Sequence, residues 1–185
     1  MKYIYFILFF IFFMPLVTTC GTHAEFKTIH TEIHPIGAIL PDQNIISMRA
    51  IEHGLHNVLS IRQIGNSCVP TTIRMVLMSY GINKSQSWLN ECTKYDPKTG
   101  TFMDDANKCL ISFIDSENIR NVKIKDLKER DIVLYEIDNK TNHACAVDYI
   151  EDDLIILSNP WGQYDAWNKS DFKKVFTGEI IRINW

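Results

Sequence analysis

The spacing of apolar residues changes near residue 120, and that switch limits the fold more than any other feature of the chain. Upstream, Pro70 to Tyr80 reads as a largely buried helix carrying Ile73, Met75, Val76, Leu77 and Tyr80. Proline suits a first helical turn, where its missing N–H has no partner to lose, and Gly81 ends the run. Ser87–Cys92 predicts a short second helix. Asp104–Asp115 predicts a third, with Asp104 and Asp105 in the first turn and Ala106, Cys109, Leu110, Phe113 and Ile114 as its stripe. Downstream come short β-branched runs: a brief one at Val122–Ile124, then Ile132–Ile137, Ala144–Ile150, Leu154–Leu157 and Glu179–Ile183. Glu151-Asp152-Asp153 supplies a hairpin turn, and the segment from Asp171 predicts a short helix leading into the last strand. Helices followed by strands predict an α+β fold, with N-terminal helices packed on a C-terminal antiparallel β-sheet.

The chain has 185 residues, the length of one domain. Its first twenty stand apart. Lys2 precedes the apolar run Tyr3–Met14, too short to span a bilayer comfortably but suited to the core of a signal peptide. A signal peptidase could cut between Cys20 and Ala24. Alternatively, Leu16-Val17-Thr18-Thr19-Cys20 resembles a lipobox, with Thr19 where a smaller residue is usual, and Cys20 would then carry lipid. A retained membrane anchor is the third outcome. The expected location is outside the cytoplasm, secreted or periplasmic, with membrane contact only through the leader or a lipid. Residues 21–59 predict an irregular arm with a first helical stripe (Ile51, Leu55, Val58, Leu59) broken by Gly54, joined to residues 60–185 as one domain.

The formal charge is −3, and −4 once Lys2 leaves with the leader (−3 − 1). Nothing in that balance suggests a nucleic-acid partner, and Lys123, Lys125, Lys128 and Arg130 read as a solvated face. His23, His30 and His34 read as surface residues. No C-x-x-C pattern occurs, so no metal or other cofactor is expected.

Export makes disulfides available. Of five cysteines, Cys68, Cys92, Cys109 and Cys145 remain beside Cys20. Four could form two bridges in three ways. If Cys68 is a reactive thiol, Cys92–Cys109 is the favoured bridge, contributing about 3 kcal/mol by chain entropy, and Cys145 is a free buried thiol.

Four segments carry candidate chemistry. Gln63-Ile64-Gly65-Asn66-Ser67-Cys68-Val69-Pro70 sets a thiol at the mouth of an apolar helix. A helix N-terminus stabilises a thiolate and a nearby imidazolium adds to that, so the thiol pKa is expected to be depressed. The Cys68 N–H and the Gln63 amide are candidate oxyanion donors. Asn142-His143-Ala144 starts a strand with a histidine that can act as base and then acid. Asn159 follows the next strand in Ser158-Asn159-Pro160-Trp161-Gly162, where its side-chain carbonyl could fix the His143 tautomer and Trp161 could shield that bond. Asp171–Ile180 looks architectural. Each segment also has a plain reading: a bridged Cys68, a turn histidine, an Asn-Pro turn before a core tryptophan.

Taken in order, these residues resemble the papain-like cysteine peptidases, and most nearly the compact bacterial branch that includes the bacteriocin-leader-processing (double-glycine) peptidases. Cys68-Val69-Pro70 and Met75-Val76-Leu77 correspond to that branch's Cys-Gly-Pro and Met-Val-Leu segments, and Asn159-Pro160-Trp161-Gly162 to the family's Asn-Ser-Trp-Gly. The likeness spans about residues 60–185. It implies a papain-like fold and a peptidase of peptides or proteins, with Cys68 as nucleophile, His143 as base, Asn159 orienting it, Gln63 at the oxyanion and no cofactor. Three features depart from the pattern. Val69 replaces Gly, Gln63 precedes Cys68 by five positions rather than six, and no transporter domain is expected after this one. An amidase or acyltransferase on cell-wall or other peptide amides, and an inactive binding module, are the alternatives on the same fold.

Overall fold

A computed structural model describes residues 57–138 and 140–185. The leader, Cys20, His23, His30, His34 and most of the predicted arm lie outside the described residues; within 57–60 there is no helix. Three helices come first: α1 (Cys68–Ser79), α2 (Gln86–Cys92) and α3 (Met103–Leu110). They are followed by β1 (Ser116–Ile119), a 3-10 turn (Ile124–Asp126), β2 (Ile132–Asp138), β3 (Thr141–Glu151), β4 (Leu154–Asn159), β5 (Gln163–Asn168), α4 (Lys169–Val175) and β6 (Phe176–Ile183). The strands form one antiparallel six-stranded sheet in the order β1-β6-β2-β3-β4-β5. This is the α+β arrangement that the change of period predicts.

The sheet separates two apolar layers because side chains alternate along each strand. On one face, Val69, Ile73, Val76 and Leu77 of α1 pack with Leu89, Met103, Ala106 and Leu110 against Ile132, Ala144, Ala146 and Ile181. Ala144 and Ala146 keep β3 low beneath α1, close enough for the Thr72 hydroxyl to donate to the Ala144 carbonyl at 3.0 Å. On the other face Val133, Tyr135, Cys145, Val147, Ile155, Leu157 and Ile180 surround Phe172 of α4. Asp148, on the helix-side register of β3, accepts the Val58 N–H at 2.7 Å and ties the described start of the chain to the sheet.

Four local readings differ from the sequence-based expectation. The third helix stops at Leu110 rather than Asp115, because Ser112 turns back to donate to the Cys109 carbonyl and the chain must reverse into β1. The expected strand at Val122–Ile124 is a loop and 3-10 turn: Asn121 has φ +62, which breaks an extended run. β1 is polar with one buried residue, and β5 alternates weakly, so neither has a clear apolar signal.

Candidate active site

Cys68 is the first residue of α1, and Ser67 before it makes no side-chain cap. The Ser67 hydroxyl turns away to the Ile64 carbonyl. The first N–H groups of the helix therefore stay available to the thiol: those of Cys68 and Val69 reach it, together with the Ala144 N–H from β3. Each favours the thiolate. Burial outweighs them and pushes the Cys68 thiol up, so the depressed pKa expected from the helix mouth alone is not what this site provides. Cys68 is unbridged, whereas Cys92 and Cys109 form a disulfide and Cys145 is a free buried thiol. Val69 is 2 % exposed and packs into the core, and it also lines the cavity beside Cys68.

His143 precedes Ala144, so the strand that supplies an N–H to Cys68 also carries the imidazole. The residue is 3 % exposed. Trp161 stacks on it at 4.3 Å between centroids, and Tyr135 meets it edge-on at 5.6 Å. His143 Nε2 lies 3.0 Å from Asn159 Oδ1. That same oxygen accepts the Trp161 backbone N–H at 2.9 Å, and Asn159 Nδ2 donates to Asp165 Oδ2 at 2.5 Å. The two contacts fix the amide orientation independently, since a backbone N–H needs an acceptor and a carboxylate needs a donor. The tautomer follows: Nε2 carries hydrogen and Nδ1 keeps the lone pair. Burial lowers the imidazole pKa from 6.5 to about 4, against a smaller rise from the Asn159 bond. Burial thus favours the uncharged thiol and the neutral imidazole.

The loop Ser158–Gly162 is shaped for this work. Gly162 donates back to the Asn159 carbonyl at 3.0 Å and has φ +85, where a Cβ would sit 3.4 Å from the Arg62 side chain. The Gln63 N–H donates to the Pro160 carbonyl and Arg62 bridges Trp161, so the segment before the nucleophile is stitched to the turn after Asn159. Gln63 lines the same cavity as Cys68, His143 and Trp161, a space of about 810 Å³. One of its amide hydrogens goes to the Gly65 carbonyl at 2.6 Å, and its Oε1 is buried without a partner. The opposite wall of the cavity is Lys98–Met103, inside the loop closed by the disulfide.

The structure thus places Gln63, Cys68, His143 and Trp161 at one cavity, with Asn159 buried against His143, and the Cys92–Cys109 disulfide closes the loop that supplies Lys98–Met103 to the lining. Among the described residues no group of three or more His, Cys, Asp or Glu side chains could hold a metal ion, and no helix is long and apolar enough to cross a membrane. Sequence reasoning missed Asp165, Tyr135 and the Ala144 N–H. Asp165 has a weak signal: once Pro160–Gly162 is read as a hairpin turn, Asn159 faces Gln163, and Asp165 lies two residues further along on the same face.

No family model and no curated protein matches the sequence. Solved structures do match in fold. The peptidase domain of Streptococcus ComA, a bifunctional ABC transporter of a quorum-sensing pathway, superposes with a TM-score of 0.62 at 23% identity, over 69% of this chain and 98% of that one. A double-glycine-motif protease from an AMS/PCAT transporter, solved with a leader peptide, gives 0.61 at 16% identity over 68% and 90%. The peptidase domain of Streptococcus mutans ComA gives 0.53 at 16% over 70% and 100%. The fold is that of these transporter peptidase domains.

Proposed function

We propose that this chain is a papain-like cysteine peptidase acting outside the cytoplasm, with Cys68, His143 and Asn159 as its reacting triad. The observation that carries the reading is the fixed tautomer of His143: the 3.0 Å contact to Asn159 Oδ1 leaves Nδ1 as the ring's only base atom, on the strand that also supplies an N–H to the free Cys68 thiol. The thiol proton passes to Nδ1 as Sγ attacks the scissile carbonyl carbon. The developing oxyanion meets the Cys68 N–H and the second amide hydrogen of Gln63. The imidazolium then returns the proton to the amine as the C–N bond breaks, leaving a thioester. Water, losing its proton to Nδ1, opens the thioester and regenerates the thiol.

Burial opposes each charge singly, and their mutual attraction offsets part of that cost when the two appear together. Proton transfer from sulfur to nitrogen creates both charges together and leaves the net charge of the pair unchanged. Trp161 over the ring keeps the local medium dry, where the mutual attraction of the two charges is strongest.

A peptide substrate suits the cavity, whose lining mixes the apolar Phe102, Leu134 and Ile137 with Lys98 and Lys140. The structural neighbour solved with a leader peptide supports a peptide as ligand. Export rests on the Lys2–Met14 pattern and agrees with the disulfide; intact mass of the protein from culture fluid or periplasm would report the cleavage point and any lipid on Cys20. The amidase, acyltransferase and binding-module readings have no feature of their own in this site. The test is hydrolysis of a quenched-fluorescent peptide library by the wild type, Cys68→Ala and His143→Ala. Turnover in the wild type and none in either variant is expected; unchanged turnover in Cys68→Ala overturns the proposal.

A further inference from the structure

Asp165 belongs to no motif of the sequence, yet it is the carboxylate nearest the triad in hydrogen-bond terms. Its Oδ2 accepts from Asn159 Nδ2 at 2.5 Å and its Oδ1 from Gln163 Nε2 at 2.8 Å. Both donors are neutral amides, and no Lys or Arg pairs with it among the described residues. The other titratable groups facing it are the Tyr135 hydroxyl from β2 and the Cys145 thiol from β3, both buried. Burial raises its pKa while the two amides pull it back toward the ionised form. Asp165 is half-buried, and a desolvated carboxylate without a cation is costly to a fold. An amide at this position could accept the same Asn159 hydrogen without that cost, so the charge itself calls for a use.

We propose that Asp165 is the positioning residue of this site, holding the Asn159 amide with its oxygen toward His143 and keeping a fixed negative charge one side chain behind the imidazole. The inference rests on the reading of Cys68, His143 and Asn159 as the reacting triad. A carboxylate accepts and never donates when ionised, so Asn159 must present Nδ2 to it and Oδ1 to the ring. The charge favours the imidazolium that forms when Cys68 gives up its proton, as a carboxylate placed directly on a histidine does elsewhere, but here an amide intervenes. Residues 159 and 165 are also matched to each other: an aspartate at 159 beside Asp165 would set two carboxylate oxygens at the present 2.5 Å separation, forcing a shared proton.

The test uses iodoacetamide on the full chain, with Cys68 alkylation followed by mass spectrometry from pH 5 to 9, and His143 titration followed by NMR. Four proteins are compared with the wild type: His143→Ala, Asp165→Asn, Asn159→Asp and the exchange variant Asn159→Asp/Asp165→Asn. Asp165→Asn should slow alkylation at pH 6 by about tenfold, the size of one charge-assisted hydrogen bond, and move the His143 titration to lower pH. The exchange variant should recover most of that loss. In it the carboxylate introduced at position 159 accepts from His143, Trp161 and the amide introduced at position 165, and the carbonyl of that amide accepts from Gln163. A purely structural Asp165 would change stability but leave the His143 titration in place. If His143→Ala slows alkylation but Asp165→Asn does not, or if the exchange variant is no better than Asp165→Asn, the positioning role is overturned while the peptidase reading stands. If His143→Ala itself leaves the alkylation profile unaltered, the triad reading has failed first. Should Asp165→Asn unfold, the exchange variant decides: folded with a wild-type profile supports the role, folded with the His143→Ala profile ends it.

Discussion

The two walls of the cavity are built by different means. One wall is sheet: His143 on β3 lies under Trp161, and behind it buried Asn159 at the end of β4 and half-buried Asp165 on β5 continue a chain of hydrogen bonds of 2.5–3.0 Å. The other is the loop Lys98–Met103, held by the Cys92–Cys109 disulfide, an Asp96 turn that accepts the Lys98 and Thr99 N–H groups, and one bond from Asn66 to the Pro97 carbonyl. The sheet wall has many weak fixings that act together. The loop wall has one covalent fixing, the paired Asp96–Gly100 backbone bonds and a few local side-chain contacts. Groups that must meet within tenths of an ångström are on the first wall, whereas the second needs only to present a surface to a peptide. Breaking the first should therefore cost turnover, and breaking the second should cost stability and binding.

The largest effect should come from the reacting groups at the mouth of α1 and on the sheet wall. Cys68→Ala and His143→Ala should each lower kcat/KM by about a thousandfold or more while the circular dichroism spectrum is retained. Next, Cys92→Ser/Cys109→Ser should lower unfolding free energy by about 3 kcal/mol in urea titration. Its KM should rise with kcat nearly intact; an equal fall in kcat would mean the walls are not independent. The third effect is set by pH. His143 has a folded pKa of about 4 against 6.5 for the free group, so as pH falls through 6.5 the unfolded chain takes up a proton that the folded chain refuses. Stability present at pH 7 is lost on acidification, by about 2 kcal/mol at pH 4.5, and His143→Gln should flatten that slope. Activity should hold below pH 6.5 and fall near pH 4, where the base is protonated. The smallest effect is expected at the outer end of the cavity, where Arg120 bridges Asp104 and Glu179 in solvent. Arg120→Ala should leave the unfolding midpoint within error.

How much of this could be read from residues alone also differs between the two halves. α1 was legible because Pro70 and Gly81 bracket an apolar run, and β2, β3 and β4 because β-branched runs bury both faces. β1 and β5 were not, since Ser116–Ile119 and Gln163–Asn168 lie at the edges of the sheet and have no apolar alternation to announce them. The same gap hid Asp165, whose relation to Asn159 exists only once β5 is paired with β4. Cys68, His143 and Asn159 could be named from order and local context. The protonation state of the pair could not, because a helix N-terminus is visible in sequence and desolvation is not. Nor could sequence tell that Val69 would be taken into the core.

The bond from the Gln63 N–H to the Pro160 carbonyl has a consequence for motion. It crosses from the segment before the nucleophile to the turn after Asn159, so helix and sheet cannot part at the site without giving up that amide to water. Its deuterium uptake would serve as a gauge of how often the site opens. Uptake as slow as that of central β3 amides would mean the catalytic halves breathe only when the whole domain unfolds, and that a peptide must enter a site already assembled.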